Sequence, residues 1–155
     1  QFFYDTKDVN VEDANKKPLI KFQLPIQGII RINFPLDEYK NPYKFTLDSM
    51  GYETGRTWQE ELDLVAENIL LTISRIDKVV LVGHTDDLAS EDYNVKLGER
   101  RVDFVIAELI KRGVPKNVLI GRSAGESELL NKLDNETMDN YRKRLRRVTL
   151  EKYLK

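Results

Sequence analysis

The stretch from Lys78 to Pro115 constrains the fold of this 155-residue chain more than any other. Lys78-Val-Val-Leu-Val82 is a short apolar run that reads as a buried strand. Gly83-His84-Thr85-Asp86 breaks it, and from about Glu91 to Arg112 the residues Val102, Val105, Ile106, Leu109 and Ile110 recur at helical spacing. Gly113 closes that helix, Pro115 stops it from continuing, and Val118-Leu-Ile120 supplies the next strand. Two strands joined by a helical crossover pair in parallel, which requires helices packed on at least one face of the sheet.

The flanking segments extend this unit. Gly28-Ile-Ile-Arg-Ile-Asn-Phe34 alternates, with Ile30, Ile32 and Phe34 on one face of a strand. Thr57-Trp-Gln-Glu60 is a capping box, and Trp58, Leu62, Val65, Ile69, Ile73 and Ile76 then follow at steps of three and four, predicting a helix through Ile76. A helical turn is expected near Glu136 to Arg144, and Arg146 to Tyr153 alternates as a last strand with Val148 and Leu150 inward. The order is β-α-β-α-β-(α)-β, an α+β architecture (an α/β sandwich) with a mixed sheet and helices packed on one face. Residues 1–28 read as an N-terminal arm with room for one edge strand, because Pro18 and Pro25 interrupt its apolar positions. Residues 29–155 form the domain. Pro35 to Arg56 has no sustained period, and a loop of that length carries a role or structure of its own.

Composition removes several function classes. With 25 Lys and Arg against 26 acidic residues the net charge is -1, so no overall field favours nucleic acid, and nucleic acid is not an expected partner. The Arg142 to Arg147 run reads as a solvated helix end and edge strand. There is no cysteine, which excludes disulfides and thiolate chemistry, and a single histidine excludes a multi-histidine metal centre. No segment is long and apolar enough to span a membrane. Gln1 in place of an initiator methionine reads as a processed or trimmed chain, with its membrane anchor expected in the parent sequence.

No metal, cofactor or catalytic residue is predicted. His84 with Asp86 and Asp87 lacks a second ligand cluster, and the serines at 74, 90, 123 and 127 lie in no nucleophile-elbow pattern. The candidate chemistry is instead a charged pair. Asp86 follows the strand, where it serves equally as a turn cap or as a ligand group. Asn94, Leu97, Arg101 and Val105 share one line of the following helix, which puts Arg101 at the core's edge and turns Arg100 about 100° away toward solvent. An arginine there needs a partner, either Asp86 as a structural ion pair or a ligand carboxylate. Loops beyond the carboxyl ends of parallel strands form natural ligand crevices, so an aspartate and an arginine meeting there could hold a ligand bearing both amine and carboxylate.

Gly83-His-Thr-Asp86, Tyr93-Asn94, Leu97-Gly-Glu-Arg-Arg101-Val, Arg112-Gly-Val-Pro115, Gly125-Glu126 and Leu145-Arg-Arg-Val148 together resemble the OmpA-like peptidoglycan-binding domain family. Its pattern runs roughly GxTDxxGxxxxNxxLSxxRAxxVxxxL, then GV, GxGE and NRRV. The resemblance is close over about 78–150. It implies a non-catalytic module that holds the diaminopimelate of the peptidoglycan stem peptide, with Asp86 and Arg101 meeting its amine and carboxylate. Thr85, Asn94 and Leu97 match positions lining the same pocket, and Arg147 is expected to add to its wall.

By the same resemblance, the expected location is the periplasm, attached to the outer membrane, and the expected role is non-covalent anchoring of an envelope protein to the cell wall. Two alternatives keep the fold: a divergent protein-interaction module without peptidoglycan binding, and the anchoring domain of a flagellar-motor stator. The chain departs from the pattern at Ala89 for the usual glycine, Gly98 for serine, Val102 for alanine, Ser123 for the first glycine of GxG and Leu145 for asparagine. Pro35 to Arg56 and the arm lie outside the family core on this reading.

Overall fold

The structure, a computed structural model, describes residues 30–155. The expected arm at 1–28 lies outside the described residues. In chain order the elements are β1 (Ile30–Asn33), β2 (Phe45–Leu47), β3 (Glu53–Thr57), α1 (Trp58–Leu71), β4 (Ile76–His84), α2 (Glu91–Lys111), β5 (Leu119–Gly125), α3 (Met138–Leu145) and β6 (Arg147–Leu154). The main sheet has the order β1-β6-β4-β5, and β2 with β3 makes a separate two-stranded hairpin.

The sheet is mixed because only one crossover joins neighbours. The β4–α2–β5 unit pairs in parallel, from Val79 opposite Leu119 onward. The last strand, β6, inserts between β1 and β4 and runs antiparallel to both, with Val148 opposite Ile32 and Leu150 opposite Leu81. β1 and β4 therefore run in the same direction without touching, and the loops that follow them emerge at the same end of the sheet.

One face of the sheet is apolar and covered. Ile30, Ile32, Val79, Leu81, Val148 and Leu150 are buried against Leu62, Val65 and Ile69 of α1 and Val102, Val105 and Leu109 of α2. The alternation expected for β6 is thus realised. Phe104 packs edge-on to Phe34 at 6.1 Å and against Trp58 at 5.4 Å, closing one side of this core. Helix starts follow their caps: Thr57 and Glu60 form the reciprocal capping box, and the Ser90 hydroxyl accepts from the Tyr93 amide. α2 is terminated by Gly113, two residues beyond its end, whose φ of +94° suits a residue without Cβ.

The periodicity misjudged the end of α1. The helix stops at Leu71, Ile73–Arg75 form a 3-10 turn, and Ile76 opens β4 opposite Leu154. Ile73 and Ile76 still face the core, so apolar spacing reported burial correctly while the backbone changed type beneath it. The Pro35 to Arg56 segment has structure of its own, in line with the expectation from its length, since it contains β2 and most of β3.

Gly83 and Gly98 set the distance between β4 and α2. A Cβ on Gly83 would collide with the Gly98 carbonyl, and a Cβ on Gly98 would meet the Ser123 hydroxyl. Positions 98 and 123 therefore compete for one space: the Ser123 hydroxymethyl on β5 fills the volume that a side chain at 98 would need, which is the basis for expecting an exchange between them. Ser123 also accepts from the Gly125 amide at 3.2 Å, which resists its rotation out of the way. Gly98→Ser should destabilise by about 1–2 kcal/mol, Gly98→Ser with Ser123→Gly should recover most of the loss, and Gly83→Ala should cost about 3 kcal/mol, because its obstacle is backbone. Denaturant melts of wild type, these three variants and Ser123→Gly alone would test this. Additive losses in the double variant would refute the exchange.

Candidate ligand-binding pocket

The loops after β1 and β4 and the first half of α2 enclose a cavity of about 200 Å³. Its wall includes Thr85, Asp86, Asn94, Leu97 and Arg101, five of the six positions singled out from the sequence. Asp86 is buried at the end of β4. Its Oδ1 accepts from the Leu88 amide at 3.0 Å, the expected turn cap, while Oδ2 accepts from Arg146 Nη1 at 3.2 Å. The aspartate is therefore both a turn residue and half of a buried ion pair, but its cation is Arg146 and not Arg101.

Arg101 has no exposed surface. Its Nε donates to the Glu38 carbonyl at 2.8 Å, Nη1 to that of His84 at 3.0 Å and Nη2 to that of Pro35 at 3.2 Å. The guanidinium also stacks 5.3 Å from the Phe34 ring centre. Among the described residues no carboxylate lies within ion-pair distance of it. Burial, and then the charge of Arg146, lower its pKa to about 10, while Asp86 opposes that shift; the group remains a cation at neutral pH.

Other positions shape the loop. Asn94 donates to the Asp86 and Ala89 carbonyls, both at 3.2 Å, and its amide lies 3.4 Å from Glu126. The Thr85 hydroxyl donates to the Asp86 carbonyl at 3.0 Å, and the Thr85 amide to Gly125 at 2.8 Å. Ala89 is outside the left-handed region, so the missing glycine imposes no backbone strain. Leu97 is buried and supplies apolar wall. Asp87 makes an exposed pair with Arg142, and Arg100 faces solvent over Tyr39.

Arg147 departs from the expectation. The structure turns it to the open face of the sheet, where it lines a different cavity with Arg31 and Asn33. Arg146 takes the expected place beside Asp86, because consecutive residues entering a strand point to opposite sides. The sequence reading also missed Leu36 and Asp37, which line the pocket although they start the segment assigned outside the core. Asp37 is held at φ +59° and accepts from the Tyr93 hydroxyl at 3.1 Å. The available signal was directional: β1 runs with β4, so its following loop had to emerge at the same rim.

The pocket thus sets two buried guanidiniums against one buried carboxylate, with a second carboxylate, Asp37, beside the opening. It can accept an anionic group near Arg101 and a cationic group near Asp86 and Asp37. Among the described residues there is no His, Cys, Asp and Glu cluster able to hold a metal and no helix long and apolar enough to cross a membrane.

The match to the OmpA family spans residues 55–144, more than half of the chain. The chain belongs to this family. Outer membrane protein A of Klebsiella aerogenes is 33% identical over 86 residues, 56% of this chain and 24% of that protein. The protein of the same name from Escherichia coli O157:H7 is 33% identical over 92 residues, covering 57% and 26%. The chain therefore spans about a quarter of the length of these curated relatives. In fold, the OmpA-family domain is similar to the peptidoglycan-associated lipoprotein from Burkholderia pseudomallei, with a TM-score of 0.60 at 20% identity, covering 79% of this chain and 89% of that one. It is also similar to the periplasmic domain of Helicobacter pylori MotB, with a TM-score of 0.55 at 19% identity and coverage of 84% and 79%.

His84 joins the pocket only through its backbone. Its buried ring lies 3.4 Å from the Thr149 hydroxyl through Nε2, while Nδ1 has no partner among the described residues. Burial first, then the Arg147 charge, lower its pKa to about 4. Between pH 6.5 and 4 the unfolded chain takes up a proton that the folded one refuses, so this contribution to stability is present above pH 6.5 and is lost as pH falls toward 4. The slope approaches about 1.4 kcal/mol per pH unit. Subtracting the pH dependence of His84→Gln stability from that of wild type should reveal this slope; parallel curves would refute it.

Proposed function

We propose that the domain binds the peptide stem of peptidoglycan non-covalently and thereby anchors an envelope protein to the cell wall. One observation carries the reading: Arg101 is fully buried, bound to three carbonyls and unmatched by any carboxylate among the described residues, on the wall of the cavity that also holds Asp86. A buried cation in that state gains from an incoming carboxylate. A diamino acid such as diaminopimelate offers a carboxylate to Arg101 and, from the same carbon, an ammonium to Asp86. Asp37 extends the acidic side. Family membership supports the wall as the source of that ligand, as does the fold shared with a protein described as peptidoglycan-associated.

On this reading the domain acts by holding and not by turnover, and works in the periplasm on a protein attached to the outer membrane. Likeness to the MotB domain is a likeness of fold and does not favour the stator alternative.

Pulldown with purified peptidoglycan tests the site. Asp86→Asn keeps an acceptor for the Leu88 amide but removes the charge opposite Arg146, and should weaken retention by about tenfold or more while lowering the melting temperature without unfolding the domain. Arg101→Ala should abolish retention and also lower the melting temperature, because three carbonyls lose their donor. Free diaminopimelate should compete with the wall for wild type. Undiminished retention of a folded Asp86→Asn protein would overturn the assignment.

A further inference from the structure

The open face of the sheet carries a second cationic cavity, of about 250 Å³, that the peptide-stem reading does not use. Its wall includes Arg31 and Asn33 of β1, Asp48, Arg144, and Arg147 and Thr149 of β6. Strand register builds it, since Arg31 stands opposite Thr149 and Asn33 opposite Arg147.

The charges there do not balance. Arg144 is matched by Glu136 in a two-pronged contact of 2.6 and 2.7 Å. Neither Arg31 nor Arg147 has a carboxylate within ion-pair distance among the described residues, although Arg147 is only 6% exposed. Two of the neighbouring acids pair elsewhere, and the third, Asp48, lies on the wall beyond ion-pair distance. Asp48 favours the charge on Arg31 through space, but its Oδ1 accepts from the Met50 and Tyr52 amides at 2.8 and 3.0 Å. Glu61 pairs with Arg56, and Glu128 with Arg122.

Arg147 donates from Nη1 to the Leu145 carbonyl at 3.0 Å. Burial, followed by the charge of Arg31, lowers its pKa to about 10. On the same wall Asn33 is 2% exposed; its Nδ2 donates to the Lys143 carbonyl at 3.1 Å, while its Oδ1 is buried without a partner among the described residues.

Two like charges and an unused acceptor on one wall ask for a specific complement. We infer that this cavity is a second ligand site, for an oxyanion that carries an N–H or O–H donor next to it. The guanidiniums of Arg31 and Arg147 grip the oxyanion, and Asn33 Oδ1 and the Thr149 hydroxyl read the adjoining group. A phosphate with a protonated oxygen and the carboxylate of an N-acylated amino acid share this chemistry.

Titrating the ¹⁵N-labelled full chain with inorganic phosphate and, separately, with N-acetylglycine tests the site and distinguishes the two sources. Saturable shifts are expected at Arg147, Thr149 and Asn33 with at least one probe, and the tighter probe identifies the source. Arg31→Gln should weaken that binding by about tenfold or more. Because the burial of Arg31 outweighs the pull of Asp48 and Glu61 on its charge, the same variant should melt no lower than wild type, whereas loss of a merely structural group would lower it. Asp86→Asn should bind the probe unchanged, so failure of the peptide-stem site leaves this result intact. Absence of saturable shifts on this face with both probes, or unaltered affinity in Arg31→Gln, would overturn the inference.

Discussion

The Arg101 guanidinium ties together segments that would otherwise have no common anchor. It leaves α2, reaches the end of β4 through the His84 carbonyl, and holds the loop after β1 through Pro35 and Glu38. Charge-assisted bonds of this kind are about twice as strong as neutral ones. Removing the donor would take a charged partner from three carbonyls in a water-poor place, leaving that of Pro35 with the Glu38 amide. The pocket thus exists because the arginine is buried, and the arginine tolerates burial because three oxygens and the Phe34 ring surround it. Its positive charge is solvated but not neutralised, and that leaves something for a ligand to do.

Gly83 and Gly98 serve the same assembly from below. Their close approach brings α2 down onto β4, so the first half of the helix starts near the strand's end and Arg101 can reach the His84 carbonyl. The family places a serine where Gly98 stands. Here the Ser123 side chain, on the neighbouring strand, occupies the space that a side chain at 98 would need.

Much of this was legible in the residues. Capping by Thr57 and Glu60, termination at Gly113, the β4–α2–β5 crossover and the inward faces of β1 and β6 each follow from a local rule with one outcome. Arg101 was legible because the helical line Asn94, Leu97, Arg101 and Val105 fixes which of two adjacent arginines faces the core. What failed has a common cause: a local pattern reports burial but not partners. Ile73 and Ile76 face the core without being α-helical. Asp86 pairs with Arg146, a choice made by β6 inserting next to β4, which no spacing within either segment records. Leu36 and Asp37 enter the pocket through strand direction, a property of the whole sheet.

The two adjacent arginines at the start of β6 show how apolar packing specifies a polar site. Val148 must face α1 and α2, opposite Ile32, and Leu150 must do so opposite Ile30 and Leu81. Because side chains alternate with a period of two, that requirement alone sends Arg147 to the open face with Arg31, while Arg146, just before the strand, bonds Asp86 at one end and the Phe34 carbonyl at the other. A slip of one residue would bury Thr149 in place of Val148 and exchange the arginines between the two cavities. The cost of misplacing the apolar residues therefore protects the charge arrangement on both faces. Arg146 spends its three nitrogens on Phe34, Asp86 and Tyr43, whereas Arg147 stays in place without a carboxylate partner among the described residues.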